Sequence, residues 1–439
     1  MEHMRHVQVA ATKNMFDVLI DRHAEAYLEA YPEVKEFSDF ERSGTGHYYI
    51  GMIWADDNEK PLVESTKLRG SLSLTNNSLV ELDFSAIDSQ QSFFPGQIIA
   101  FLADPFTKRQ LTTRKLLDPM RIAPRLKTIT TDDTIRLLVA AGPFMRPEQD
   151  DWSLFDNIIT SIKENNATHV ILMGPFVDME NKLIGSKYDL NWRTCFDKLV
   201  EGPFDYACDV YLVPSSRDVL PNYLSATYFY PSPRLEFEIR VKEKIHPKCN
   251  ITSVSDPAQI DLGGIYLDVT SAEVLLHLNK CSTFINKQGS VFASLYRHLI
   301  SLGIYPIYPS PTDIAIDYPK LMKHIQLDRL GPHILTIPTR FKTSVVPVDD
   351  RLVVAVQKCS TTKQVVLVEI PKIEGTSETP INSVVHANYT HKIINLCPAI
   401  KTEEDDQASS MTPLESTTTT SQGSDTASLS TQATLIESQ

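Results

Sequence analysis

The sequence predicts an α/β protein: a small β-barrel, then a larger domain of alternating strands and helices, then a disordered tail. Three observations carry this. Short apolar runs between 47 and about 117 are separated by turn-forming residues; strand-like and helix-like segments alternate from about 134 onward; large apolar residues almost vanish beyond about 401. The 439 residues are 42% hydrophobic and 22% charged, an ordinary water-soluble composition with length for two or three domains. No apolar run approaches about 18 residues, and MEHMRHVQVA lacks the apolar core of a secretory signal, so an intracellular chain without a membrane span is expected.

Residues 1–45 are expected to form a helical segment. Met15, Phe16, Leu19, Ile20, His23, Ala24, Tyr27 and Leu28 recur at helical spacing from about 12, and Pro32 marks the end. In 46–118 the runs HYYIGMIWA, SLVELDF and GQIIAFLA, broken by DDNEKP, TNN and FFPG, suit a barrel of the oligonucleotide-binding (OB) type. A barrel that holds single strands needs a basic groove and stacking platforms. Residues 46–116 hold seven Lys or Arg against eight Asp or Glu, and Tyr48, Tyr49, Trp54, Phe84, Phe93 and Phe94 read as core or interface, so a protein-binding module is expected.

The Lys- and Arg-rich run KRQLTTRKLLDPMRIAPRLK (108–127) reads as solvated, with the linker placed at 119–132. From 133 to 400 come strand TIRLLVAAG, helix DWSLFDNIITSIKEN, strand THVILMG, helix LNWRTCFDKLVEG and strand CDVYLVPS, an order that implies a parallel sheet. Strand-like NITSVS and GGIYLDVTS, helix SVFASLYRHLISLG, the turn YPIYPSPTD and four closely spaced strands (HILTIPTRF, TSVVPV, RLVVAVQK, QVVLVEI), expected to pair antiparallel or mixed, follow. Residues 401–439, acidic and rich in Ser and Thr, read as a disordered tail.

The net charge of −13 repels phosphate backbones, so any DNA contact is expected to be weak, or indirect through a partner. The six cysteines show no C-x-x-C pair and read as structural thiols. The chain carries no phosphate-binding loop, G-x-G-x-x-G or G-x-S-x-G motif, and no cofactor is expected.

Functional groups of open α/β sheets gather at the carboxyl ends of the strands. Three such ends read AAGPFMRPEQ, LMGPFVDMEN and LVPSSRDVLP. Their order and spacing resemble the metallophosphoesterase (calcineurin-like) superfamily, whose ends read D-x-H, G-D-x-x-D and G-N-H-D or G-N-H-E and hold two divalent ions about 4 Å apart. The resemblance implies a two-sheet domain and a degenerate site. Gly142 and Phe144 fall at the first Asp and His, Pro175 at the bridging Asp, and Ser215, Ser216 and Arg217 at G-N-H; the acids Asp178 and Asp218 remain. Pro338, Thr339 and Arg340 follow the strand where a late His-bearing loop belongs, while His246, His277, His298 and His333 read as structural. No catalytic or metal-binding residue is expected.

A barrel joined to such a domain is similar to the B-subunits of eukaryotic replicative DNA polymerases, and within that family to the polymerase alpha branch. SFFPGQIIAF, LLVAAGPF, VILMGPFVD, VYLVPSSRDV, YPIYPSPTDIAIDY and HILTIPT carry the likeness, which extends over roughly 12–370. It implies a nuclear, non-catalytic subunit that holds the C-terminal zinc-bearing region of the polymerase alpha catalytic subunit, alongside the primase subunits, in a complex making RNA–DNA primers. The alternatives are a B-subunit of polymerase delta or epsilon, or an active phosphoesterase. Fuller family members carry an additional N-terminal helical domain, so a short isoform or a divergent member is expected. Thr412-Pro413 in the tail is a minimal proline-directed phosphorylation motif.

Overall fold

The structure, a computed structural model, describes residues 2–42, 44–55, 60–107, 109–123, 125–129, 131–145, 152–176, 178–183, 206–218, 227–228, 249–287, 290–302, 315–316, 331–373 and 383–396. The expected helix at 190–202, the turn YPIYPSPTD and the tail with Thr412 lie outside them. No helix among the described residues is long and apolar enough to cross a membrane.

The first helix runs Glu2–Ala30, longer at its start than the apolar periodicity indicates. It stops two residues before Pro32, whose ring disfavours helical backbone at Tyr31. Phe16, Leu19, Ile20, Ala24 and Tyr27 are buried against barrel residues Ile50, Met52 and Ile98 and against two later helices. Arg69 fixes this packing: its guanidinium lies 2.9 Å from Asp17 and stands over the rings of Phe16 and Trp54.

Six strands follow: β1 (His47–Trp54), β2 (Thr66–Arg69), β3 (Leu79–Asp83), β4 (Gln91–Phe93), β5 (Ile98–Thr107) and β6 (Gln110–Leu116). Five close a barrel in the order β1-β2-β3-β6-β5, antiparallel throughout except for β3 with β6. Strand β6 corrects the reading of 108–127 as solvated linker. Leu111 and Thr113 face inward while Arg114 and Lys115 are exposed, so a period of two lies hidden beneath a basic composition. Tyr49, Phe84, Phe93 and Phe94 are buried, as expected of core residues, and Tyr48 and Trp54 are half-buried.

The larger part contains β7 (Ile135–Ala141), β8 (His169–Met173), β9 (Asp209–Val213), β10 (Thr227–Tyr228), β11 (Asn250–Ser253), β12 (Ala258–Asp261), β13 (Tyr266–Val269), β14 (Thr283–Ile285), β15 (Ala315–Ile316), β16 (Ile334–Thr339), β17 (Ser344–Val348), β18 (Arg351–Gln357), β19 (Gln364–Ile370) and β20 (Thr390–Asn395). One sheet has the order β11-β9-β8-β7-β19-β20, the other β12-β13-β16-β18-β17. The first is mixed rather than parallel throughout: β7, β8, β9 and β11 run parallel, while β19 pairs antiparallel with both β7 and β20.

Burial explains the run-on apolar strands. In β7, Leu137, Val139 and Ala141 face the second sheet, and Leu138 and Ala140 face Phe155, Ile158, Ile159 and Ile162 of the helix Ser153–Glu164. A sheet covered on both faces has no polar side to alternate. The far face of the second sheet packs on the helices Val274–Cys281 and Val291–Leu302, on the first helix and on the barrel.

Barrel and sheets are joined by backbone pairing of β4 with β14 and by His298. The His298 ring meets Phe94 edge-on and lies within hydrogen-bonding distance of the Gln97 amide, both in the turn that leads into barrel strand β5. Burial, with help from Arg297, pushes its pKa down to about 4. The folded state thus holds the ring neutral while the unfolded chain protonates near 6.5; the stabilisation is whole above 6.5 and drains as pH falls toward 4. The stability advantage of wild type over His298→Gln is expected to shrink by about 2–3 kcal/mol between pH 7.5 and 4.5 in urea titrations. An unchanged difference would mean that the ring is not held neutral.

Candidate functional site

Strands β7 and β8 both run into Gly-Pro-Phe, with cis bonds at Gly142–Pro143 and Gly174–Pro175. The two ends lock together through their backbones. The Gly142 N–H donates to the Met173 carbonyl at 2.7 Å, and the Gly174 N–H donates to Val213 at the end of β9 at 2.8 Å. Neither glycine has room for a side chain. A Cβ on Gly142 would sit 2.2 Å from the Pro175 carbonyl oxygen, and one on Gly174 would sit 2.6 Å from Asp218 Oδ2.

Phe144 and Phe176 turn away from the strand ends into the core, 5.5 Å apart between ring centroids, with Phe155 against Phe144. Phe144 therefore fills the apolar layer under the helix. Asp218, also buried, accepts hydrogen bonds from the Phe176 and Ser215 N–H groups and clamps the loop after β8 to the turn after β9. Asp178 receives the Arg217 guanidinium at both carboxylate oxygens, and Glu180 takes a further contact from the same group. The Arg217 carbonyl accepts from the Met179 N–H, so the acid-bearing loop and the arginine turn are also tied through the backbone.

A cleft of about 360 Å³ opens over these ends. Gly142, Pro175, Ser216 and Arg217 line one wall, with Ser215 and Gly174 between them. The opposite wall belongs to the second sheet and its helix: Glu273, His277 and Lys280 from the helix segment, Arg340 after β16, and Lys358 after β18. Glu273 is shared, with Arg340 Nε at 2.7 Å and Lys358 Nζ at 2.8 Å. Behind Ser271, which also lines the cleft, the Asp256 carboxylate accepts from the Ser271 hydroxyl and N–H, and burial pushes its pKa up to about 6.

The structure thus brings Gly142, Pro175, Ser216 and Arg217 to one cleft, places Asp178 and Asp218 behind it and turns Phe144 elsewhere. His298 and His333 are buried structural residues; the His333 ring accepts from the Tyr266 N–H and meets the Lys127 carbonyl. His277 lines the cleft, and His246 lies outside the described residues. Motif spacing does not reach Glu273, Lys280 and Lys358. The helix that presents the first two is legible in EVLLHLNKC, where Val274, Leu275, Leu278 and Cys281 recur on one buried face.

These residues do not fit a dinuclear metal site. Gly142, Phe144 and Pro175 offer no donor, Arg217 is a fixed cation, and the two acids are committed to Arg217 and to backbone N–H groups. Among the described residues, no three His, Cys, Asp or Glu side chains group to hold an ion.

Residues 137–346, a little under half of the chain, match the family of DNA polymerase alpha/epsilon B-subunits. The DNA polymerase alpha B-subunit of Mus musculus is 26% identical over 302 residues, 67% of this chain and 49% of the relative. Its Drosophila melanogaster counterpart is 27% identical over 359 residues, 78% and 55% respectively. The chain spans about half the length of these curated relatives. Among solved structures, an archaeal phosphodiesterase aligns at 10% identity with a TM-score of 0.27, covering 59% of this chain and 100% of that one. Vacuolar protein sorting 29 from Cryptosporidium parvum aligns at 10% identity with a TM-score of 0.26, covering 60% and 100%.

Proposed function

Because the chain is a relative of the B-subunits of DNA polymerase alpha, we propose that it is a non-catalytic scaffold subunit of a primer-synthesising polymerase complex. In this reading it binds the C-terminal zinc-bearing region of the catalytic subunit, works beside the primase subunits and acts in the nucleus. One observation carries the reading. The ends of β7, β8 and β9 are locked together while Gly142, Phe144 and Pro175 offer no donors and Arg217 occupies Asp178. Strand ends that are rigid and without ligands suit an architectural role.

The barrel, read as an OB-fold, belongs to the same account. Its order with a single parallel pair, β3 with β6, is that of a five-stranded Greek-key barrel. Its large aromatics are spent on its own core, which favours protein binding over strand stacking. In this reading the domains follow the boundaries at 46–118 and 133–400, and phosphorylation at Thr412 in the tail adds charge that alters a partner contact.

Affinity capture of the full chain from nuclear extract of its source, followed by identification of bound proteins, tests the reading. Recovery of the polymerase alpha catalytic subunit with both primase subunits is expected. Recovery of the delta or epsilon catalytic subunit instead would move the chain to another polymerase. Stoichiometric manganese with turnover of bis-p-nitrophenyl phosphate would overturn the non-catalytic role.

A further inference from the structure

The cleft over the strand ends is absorbed by neither the scaffold role nor the packing. Its lining carries four cationic side chains, Arg217, Lys280, Arg340 and Lys358, against the single carboxylate of Glu273, on a chain whose net charge is −13. Asp178 and Glu180 pair with Arg217 from behind the wall, and Asp218 and Asp256 bond to backbone N–H groups and to Ser271, so among the described residues the four cations stand against three carboxylates. Cations gathered around a concave cleft reinforce one another's positive potential more than the same charges spread over a flat surface.

Three features make this a built site. Arg217 is held in a fixed orientation by both oxygens of a carboxylate that is only 10% exposed, so its outward edge is preorganised. Arg340 and Lys358 are drawn to the same wall by Glu273, and Lys280, solvent-exposed, has no carboxylate partner among the described residues. The volume of about 360 Å³ suits a small molecule. Duplex DNA is far too wide for it.

We infer that the cleft is a metal-independent binding site for a compact oligophosphate, inorganic or carried by a nucleotide, with Arg217, Lys280, Arg340 and Lys358 as its cationic contacts. The site follows from the lining of the cleft and stands whether or not the chain joins a polymerase. Arginine forks engage phosphate oxygens in pairs and lysines add point charge, a combination suited to a ligand with several charged oxygens.

Calorimetric titration of the full chain with sodium pyrophosphate, at low salt and with EDTA present, tests it. Saturable binding at one site with a dissociation constant of about 0.1–1 mM is expected. The double variant Lys280→Glu with Arg340→Glu is expected to weaken it about tenfold or more, and Lys280→Arg to leave it nearly unchanged. Lys280 is exposed, so Lys280→Glu alone supplies the comparison if the double variant folds poorly. ATP that displaces pyrophosphate at lower concentration than inorganic triphosphate does assigns the ligand to nucleotides, and the reverse order assigns it to inorganic oligophosphate. No saturable binding, binding indifferent to Lys280→Glu, or binding only after manganese is added would each overturn the inference.

Discussion

A Gly142→Asp variant, which places a carboxylate at the end of β7, is expected to lose about 3–5 kcal/mol of stability and to gain no metal. The cause is backbone, not chemistry. A Cβ at 142 would stand 2.2 Å from the Pro175 oxygen, 3.1 Å from its carbonyl carbon and 3.2 Å from the Met173 oxygen, and none of these atoms is the tip of a flexible side chain. The 2.7 Å bond from the Gly142 N–H to Met173 holds the two strand ends at that separation. A carboxylate crowded against two carbonyl oxygens adds a desolvation cost to the steric one. Urea unfolding of the full chain measures the loss; a change below about 1 kcal/mol would mean that the strand ends stand further apart than this geometry gives.

Phe93→Ala is expected to cost about 3–5 kcal/mol, the range for deleting a buried phenyl ring. Phe93 is 2% exposed and stacks on Phe84 at 4.0 Å between centroids with 15° between planes. Its backbone also pairs with Thr283 of β14, so the ring and the β4–β14 ribbon depend on one another. A stacking platform for single strands would behave in the opposite way, losing oligonucleotide affinity while stability stayed within about 0.5 kcal/mol. Denaturant unfolding and oligonucleotide titration on the same variant separate the two roles.

These two positions also mark what the sequence makes legible. The doubly buried strands β7, β8, β9, β18 and β19 announce themselves as near-continuous apolar runs, and the barrel aromatics as core, because burial is written in composition. Strand β6 is harder to see: its exposed Arg114 and Lys115 outweigh the alternation of Leu111 and Thr113. The close spacing of the late strands suggests antiparallel or mixed pairing, but that β19 pairs with β7 is not legible, since partner choice follows from how the chain returns and not from side-chain pattern. At the site, motif spacing leads to Gly142, Pro175, Arg217 and Asp218, all on consecutive strand ends. The opposite wall, with Glu273, Lys280 and Lys358, comes from segments distant in sequence that only the packing of two sheets brings together.

The central claim, that the fold serves to hold a polymerase subunit, is tested most directly with purified components. The full chain is mixed with the C-terminal zinc-bearing region of the polymerase alpha catalytic subunit from the same organism and the complex is sized and weighed. A one-to-one complex that survives dilution to about 100 nM, as a large permanent interface requires, is the predicted result. Two species that run separately at about 10 µM would contradict it.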